Sequence, residues 1–264
     1  MPAEKNADAS AYGIVDVNES NVNEYDVLCL KSKKNGEGYR SKIEWIREWF
    51  KEGLRLKLLL VKERRGFTSR GFIEYVPGQY AWRGISARGY MVIHCIWVIG
   101  RNRGKGYGTK LLELCLNDAK GMNGVAVVTT ESTWLPRKDL FIKNGFEKVD
   151  AMPPYLELYA KRFSNNAPLP KFNPIPKERL KKYGSGITVF KADQCPYTSA
   201  AVRVALAVAE EAGLPARVVH VESCREAQNG VHPYGTYCVL LNGKVLTYRP
   251  IGKKGLLEDL QKAS

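Results

Sequence analysis

Between Met91 and Lys120 the chain passes from a strand pattern, through a glycine-rich basic loop, straight into an amphipathic helix. Met91 to Val98 is rich in branched and aromatic residues, and Thr109 to Lys120 carries Leu111, Leu112, Cys115 and Leu116 on one side. The connection, Ile99-Gly100-Arg101-Asn102-Arg103-Gly104-Lys105-Gly106-Tyr107-Gly108, has alternating glycines flanked by basic side chains. Consecutive backbone N–H groups at a helix N-terminus cradle a pyrophosphate, and glycines let the backbone come close to it. A plain turn with a capped helix is the other reading of the same residues. No GK[ST] closes the loop, so a Walker A site is excluded. The dinucleotide-binding fold is disfavoured, because the strands before the loop read as a meander and no acidic residue caps a following strand at the required distance.

What surrounds that unit is globular and α/β. With 44% hydrophobic and 26% charged residues, disordered and collagen-like classes are out. The apolar runs, such as Leu56 to Val61 interrupted by Lys57, fall far short of a bilayer span. The polar N-terminus lacks the basic-then-apolar pattern of a secretory signal, so a cytoplasmic location is expected. Six scattered cysteines without a CxxC predict reduced thiols, and three histidines without helical pairing predict no structural metal. The net charge of +14 divides into +8 over residues 1 to 163 and +6 over 164 to 264, with no basic tail. Short clusters at Lys31-Lys33-Lys34, Lys62-Arg64-Arg65 and Lys181-Lys182 read as solvated surface, which disfavours nucleic acid as a partner.

Along the chain, Tyr12 to Val17 alternates as a first strand, and Ser41 to Phe50 is a helix with Ile43, Ile46, Trp49 and Phe50 recurring at three and four before Gly53. Leu54 to Glu63, Gly71 to Val76 and Met91 to Val98 predict an antiparallel meander. After the loop and its helix come a buried strand, Val125 to Thr130, a helix from Leu135 to Asn144, and a last alternating strand, Tyr155 to Tyr159. Ser164 to Gly186 holds four prolines and two closing glycines, the composition of a linker. Beyond it, Ile187 to Phe190, a helix to about Ala212, Ala216 to Val221, a hairpin across Asn242-Gly243 and a terminal helix from Leu256 to Lys262 give the order β, α, β, short helix, ββ, α. Two units are therefore expected, 1–163 and 187–264, joined by 164–186.

Arg103-Gly104-Lys105-Gly106-Tyr107-Gly108 matches the [QR]xxGx[GA] signature of the GNAT N-acetyltransferase superfamily, and Phe141-Ile142-Lys143-Asn144-Gly145-Phe146-Glu147 resembles its second landmark, a helix ending in Gly-Phe. The resemblance covers about residues 12 to 163. It implies a mixed α/β (α+β) sheet with flanking helices and acetyl-CoA as cosubstrate, its pyrophosphate on the N–H groups of Arg103, Gly104, Lys105, Gly106, Tyr107, Gly108 and Thr109, and its pantetheine along the strand edge near Val98 and Ile99. Acetyl transfer to an amine needs the amine neutral, the thioester carbonyl polarised and the leaving thiolate stabilised. The family's usual acid is a tyrosine four residues before the Gly of Gly-Phe; here that residue is Phe141. Tyr107 and Tyr155 are candidate substitutes.

For the base, strand alternation back from Val98 puts Ile96, His94 and Val92 on one face, and His94 is the titratable one. A hydrogen-bonded histidine in a packed sheet is the competing reading. Glu74, a carboxylate in the apolar strand Gly71 to Val76, could bind a cationic acceptor, act as base, or face solvent. Glu131 is a further candidate for the cleft. Trp45, Trp49, Trp82, Trp97 and Trp134 would either line an acceptor site or fill core.

In the second unit Cys195-Pro196-Tyr197-Thr198 puts a thiol between a strand and a helix, where N–H groups and the helix dipole stabilise a thiolate. The motif resembles a glutaredoxin site with its second cysteine replaced by Thr198, and the tail resembles the YoaP-like thioredoxin-fold domain found after GNAT domains. That resemblance implies a cis-proline near Pro233. Dithiol chemistry would need Cys224 or Cys238 brought to Cys195, and a binding role is the alternative.

The expected activity is direct acetyl transfer from acetyl-CoA to a small-molecule or peptide amine, with His94, Glu74 and Cys195 as candidate catalytic residues, no membrane partner and a homodimer allowed. Small amine, peptide N-terminus, lysine and aminoglycoside-like acceptors are all open. The rivals are a thiol-dependent redox or metal-sensing protein using Cys195, whose first unit only binds CoA, and a basic nucleic-acid-binding module.

Overall fold

In the computed structural model, which describes residues 11–27, 29–30, 34–131 and 135–263, the most apolar segments take the middle of a seven-stranded mixed sheet. Its strands are β1 (Tyr12–Val17), β2 (Arg55–Glu63), β3 (Gly66–Pro77), β5 (Tyr90–Val98), β6 (Gly124–Thr130), β7 (Glu147–Met152) and β8 (Leu156–Arg162), in the order β1-β2-β3-β5-β6-β8-β7. β6, GVAVVTT, is buried along its whole length, as a strand covered on both faces must be. The meander β1-β2-β3-β5 is antiparallel, and β5 to β6 is the parallel step that the loop and α2 (Tyr107–Asp118) cross over.

One face of the sheet is covered by α2 and α3 (Lys138–Lys143), which pack Leu111, Leu112, Cys115 and Phe141 against Ile73, Tyr75, Ile93 and Val127. The other face is covered by α1 (Glu37–Trp49), whose Ile43, Ile46 and Trp49 point inward as their spacing predicts; Gly53, left-handed at φ 81°, closes the turn that follows. α1 starts four residues before the expected Ser41. β7, EKVDAM, is an edge strand that the sequence reading did not predict, because an edge needs no alternating apolar pattern.

Residues 164–186, read as a linker, carry β9 (Lys171–Phe172), paired with the two-residue β4 (Ile85–Ser86), and a turn of helix, α4 (Lys177–Lys181). Then comes a four-stranded sheet, ordered β11-β10-β12-β13, of β10 (Ile187–Lys191), β11 (Ala216–His220), β12 (Tyr237–Leu241) and β13 (Lys244–Thr247), with helices α5 (Thr198–Glu211), α6 (Cys224–Gln228) and α7 (Lys253–Ala263). β10 and β11 are parallel, and the rest pair antiparallel. The order is the one expected. Asn242 at φ 48° and Gly243 at φ 75° form the two-residue hairpin turn that Asn-Gly favours. One continuous apolar core runs between the two sheets, with Trp45, Trp82 and Leu56 in the same cluster as Val189, Val239 and Leu256.

Candidate active site

β5 pairs with β6 only from Tyr90 to Ile93, whereas its pairing with β3 continues to Val98. The two parallel strands therefore part after Ile93, and a cleft of about 800 Å³ opens there. At one end it is lined by Val98, Asn102, Arg103, Gly104, Gly106, Tyr107, Gly108 and Thr109. Gly104 and Gly106 both sit at φ +77°, a conformation a side chain resists, and a Cβ at either would meet open space. The loop thus offers bare backbone at the N-terminus of a twelve-residue helix, with Arg103 held by its Nε donating to the Val98 carbonyl at 3.1 Å. These features fit a pyrophosphate. Ile99 and Lys105 lie outside this cleft: the Ile99 amide donates to Arg70, and Lys105 lines a neighbouring basic hollow with Lys62, Arg64, Arg65, Arg70 and Arg101.

The other end is built around Glu74. Its partner on β5 is Cys95, while Tyr75 pairs with Ile93, so β5 has one extra residue, His94, in a β-bulge. The bulge breaks the alternation from which the base was sought. His94 lies on the face of Val92, Cys95 and Trp97, toward Trp45 and Trp82, and Ile96 lies on the opposite face. Glu74 and His94 are both buried. Glu74 Oε2 accepts from Lys42 Nζ at 2.5 Å, and Oε1 accepts from Gln194 Nε2 at 2.8 Å and lies 3.3 Å from His94 Nδ1.

Burial alone would raise the Glu74 carboxyl, but the Lys42 charge and its hydrogen bonds hold it well below the usual range, at about 2. Burial pushes His94 down to about 4, against the pull of Glu74 and with the help of Arg83 and Lys42. Its Nε2 accepts the Trp82 amide at 3.0 Å, so in the neutral ring the proton sits on Nδ1, facing Glu74. The His94 lone pair that a base would use is bonded to the Trp82 amide, and burial lowers the basicity of the ring. Glu74 does not face solvent, and both of its oxygens are engaged.

Cys195 lies where the second unit meets this cleft, beside Gln194, Pro196, Tyr197 and Tyr234, and opposite Cys29 and Cys95. Burial raises its thiol to about 12 against a backbone hydrogen bond from Tyr197, so the expected thiolate is not formed. All six cysteines are free, Cys224 and Cys238 are buried with raised thiols, and Thr198 spends its hydroxyl on the Ala192 and Cys195 carbonyls at 3.0 and 2.8 Å. The peptide before Pro233 is trans; among the described residues the cis bond is Pro153–Pro154.

Phe141 is buried edge-on against Phe146 at 5.3 Å, so the family's acid position is core here. Of the substitutes, Tyr107 lines the cleft, whereas Tyr155 is exposed away from it, as is Glu131, which pairs with Lys138. Trp45, Trp49 and Trp82 form a mutually edge-on core cluster, Trp97 lines the cleft, and Trp134 lies outside the described residues, as do Lys31 and Lys33. Four residues the sequence reading missed complete the site: Lys42, Arg83, Gln194 and Tyr234. Lys42 did leave a signal, as a lysine in the inward stripe that Tyr39, Ile43, Ile46 and Trp49 define.

Residues 33–146 match the model of the Acetyltransferase (GNAT) family. The uncharacterized N-acetyltransferase YoaP of Bacillus subtilis (strain 168) is 28% identical over 240 residues, covering 89% of this chain and 92% of that one. Among solved structures, a GNAT-family acetyltransferase from Staphylococcus aureus Mu50 is 16% identical, covering 58% of this chain and 100% of that one, with a TM-score of 0.39. Another, from Bacillus anthracis strain Ames with acetyl coenzyme A bound, is 18% identical, covering 42% and 62%, with a TM-score of 0.31. Among the described residues no helix is long and apolar enough to cross a membrane. The stretch that matches the family model holds both the glycine loop and the Lys42, Glu74 and His94 cluster.

Proposed function

We propose that this chain transfers the acetyl group of acetyl-CoA directly to a primary amine, with both substrates held at once in the cleft between β5 and α2. The observation that carries this reading is that one cleft joins a bare-backbone helix N-terminus to a buried, hydrogen-bonded polar cluster. The B. subtilis relative, named an N-acetyltransferase and matched over nearly its whole length, supports it.

Acetyl-CoA brings an activated thioester. The Arg103 N–H is already bonded to the Gly100 carbonyl at 3.0 Å, so the backbone from Gly104 to Thr109 would take its pyrophosphate, and the β5 edge beyond Ile93, free of β6, would take its pantetheine arm. In the transfer the amine nitrogen forms a bond to the acetyl carbon and the carbon–sulfur bond breaks. The electron pair leaves on CoA sulfur, and the proton lost by nitrogen passes to solvent or to that sulfur.

Neither His94 nor Glu74 suits removal of an ammonium proton at neutral pH, so their role is to set the wall against which the acceptor lies, and the amine enters already neutral or loses its proton to water. Tyr107, which lines the cleft at its glycine-loop end, is the hydroxyl assigned here to protonating the leaving sulfur. The unit 187–264 is read as a thioredoxin-like module that forms one side of the acceptor end through Gln194 to Tyr197, and its β-α-β-α-β-β-α order supports that reading. It serves as a wall and not as an exchanger of disulfides.

Calorimetric titration of the purified chain with acetyl-CoA tests the reading. One site is expected, weakened about 100-fold by Gly106→Glu, which puts a strained carboxylate among the phosphates. An intact chain that does not bind acetyl-CoA would overturn it.

A further inference from the structure

Among the described residues, the acceptor end of the cleft carries an excess of positive charge that no carboxylate neutralises. Among the described residues lining the cleft, Glu74 is the sole acid, against Lys42, Arg83, Arg103 and Arg137. Arg137 has its own partner in Asp139 at 2.9 Å, and Arg103 stands at the glycine loop. Lys42 and Glu74 satisfy each other. Arg83 remains.

Arg83 is almost fully buried, and its hydrogen bonds go to neutral oxygens. Nη1 donates to the Trp82 carbonyl at 2.7 Å and, at 3.4 Å, to Gln194 Oε1 and the Tyr234 carbonyl; Nη2 donates to the His94 carbonyl at 3.0 Å. The guanidinium lies over the Tyr234 ring at 4.8 Å. Among the described residues it has no carboxylate partner. A guanidinium has five N–H groups. Among the described residues no acceptor meets the Nε proton, and Nη2 has one bond for its two protons; Nε and Nη2 share the edge on which a carboxylate binds through two parallel hydrogen bonds. A buried charge without a counter-ion is costly, and a site that keeps one beside an open cleft is made for an anion to enter.

We propose that the acceptor carries a carboxylate beside its amine, as a free amino acid does, and that Arg83 binds that carboxylate. This rests on the acetyltransferase reading above and narrows it. Glu74, with both oxygens engaged, has nothing left for a second ammonium, so polycationic amines are poor acceptors. The bonds made and broken are those already given: the carboxylate is held while the amine nitrogen attacks.

The test measures CoA release from acetyl-CoA with the full chain, over a panel of L-amino acids, their amides, their decarboxylated amines and O-phosphoethanolamine. The expected result is a kcat/KM at least about tenfold higher for the amino acids accepted than for their amides and decarboxylated amines. In Arg83→Lys, which keeps the charge but loses the two-pronged edge, that ratio should collapse toward one through KM; Arg83→Gln should abolish it, and melting curves show which variants fold. Equal turnover of amides and amino acids, or a preference for O-phosphoethanolamine, overturns the carboxylate while leaving acetyl transfer intact. If acetyl-CoA binds and nothing in the panel turns over, binding of N-acetyl-L-amino acids against their amides to the CoA-loaded chain decides: equal or absent binding overturns the proposal. A chain that neither binds acetyl-CoA nor releases CoA breaks the acetyltransferase reading instead.

Discussion

The two ends of the cleft are built on opposite principles. The glycine loop is contiguous, half open and made of backbone: every part of it lies within Val98 to Thr109, and its function follows from φ angles and unpaired N–H groups. The acceptor end is buried and made of side chains from α1, β3, the segment before β4, β5 and the loop before α5, so that Gln194 reaches Glu74 across 120 positions of sequence. A site of the first kind tolerates change around it and fails only when its backbone is blocked. A site of the second kind is also part of the core, so that what damages it damages folding.

That contrast predicts where the largest loss falls. Glu74→Ala leaves Lys42 buried without its counter-ion and should cost about 3–5 kcal/mol of stability. The double variant Glu74→Ala, Lys42→Met removes both charges and should recover most of that loss, as measured by denaturant unfolding, yet regain no acetyl transfer. Gly106→Glu should do the reverse, losing acetyl-CoA while costing about 1–2 kcal/mol for the left-handed backbone. A Glu74→Ala variant as stable as the parent would show that the two ends are not different in kind.

The same contrast explains what was legible in the sequence. The loop, α2, the buried β6 and the Asn242-Gly243 hairpin are local, so periodicity and turn chemistry reach them. β7 was missed because its lysine, glutamate and aspartate tolerate an exposed edge, and β9 because two residues carry no period. Glu74 stood out as a carboxylate in an apolar strand, but its partners could not be read: Lys42, Gln194 and Arg83 meet it only through packing. His94 was counted onto a face by strict alternation, and a one-residue bulge moved the count. The Cys195 thiol was read from its place before a helix, and burial reversed the sign of its shift.

The second effect in size lies at the seam where the 187–264 unit meets the first. Three glycines let the backbones approach there: a Cβ on Gly38 would come within 2.1 Å of the Pro196 carbonyl oxygen, one on Gly84 within 2.8 Å of Pro233 Cα, and one on Gly235 within 2.7 Å of the Trp82 carbonyl oxygen. Backbone cannot give way as a flexible side chain can. Gly38→Val should therefore cost about 1–3 kcal/mol by overpacking. It should lower acetyl transfer more than acetyl-CoA affinity, because the strain moves Gln194 to Tyr197 and not the glycine loop. Equal losses in both, by calorimetry and CoA release, would mean that the seam does not serve the acceptor end alone.

The most gradual effect is a pH dependence set by the buried His94 and Glu74 and the half-buried His232. His94 is held at about 4 and His232 at about 3, both by burial, against 6.5 for an exposed histidine. Between pH 6.5 and 4 the unfolded chain takes up protons at these positions that the folded chain refuses, so stability is full above 6.5 and falls as the pH drops through that window. Glu74, held at about 2, adds a loss in the same direction below about 4.5, where an unfolded carboxylate protonates first. Each histidine contributes at most about 1.4 kcal/mol per pH unit. The groups that face His94 are Glu74, Lys42 and Arg83, and His232 is stacked on Tyr248 with its Nδ1 accepting the Tyr234 amide. In thermal unfolding followed from pH 7.5 to 4, His94→Gln should flatten the slope by one proton. Acetyl-CoA affinity over the same range should not follow that slope, since no histidine lines the loop. An unchanged slope in His94→Gln would mean that water reaches the ring, and the acceptor end would then be an open pocket instead of a piece of core.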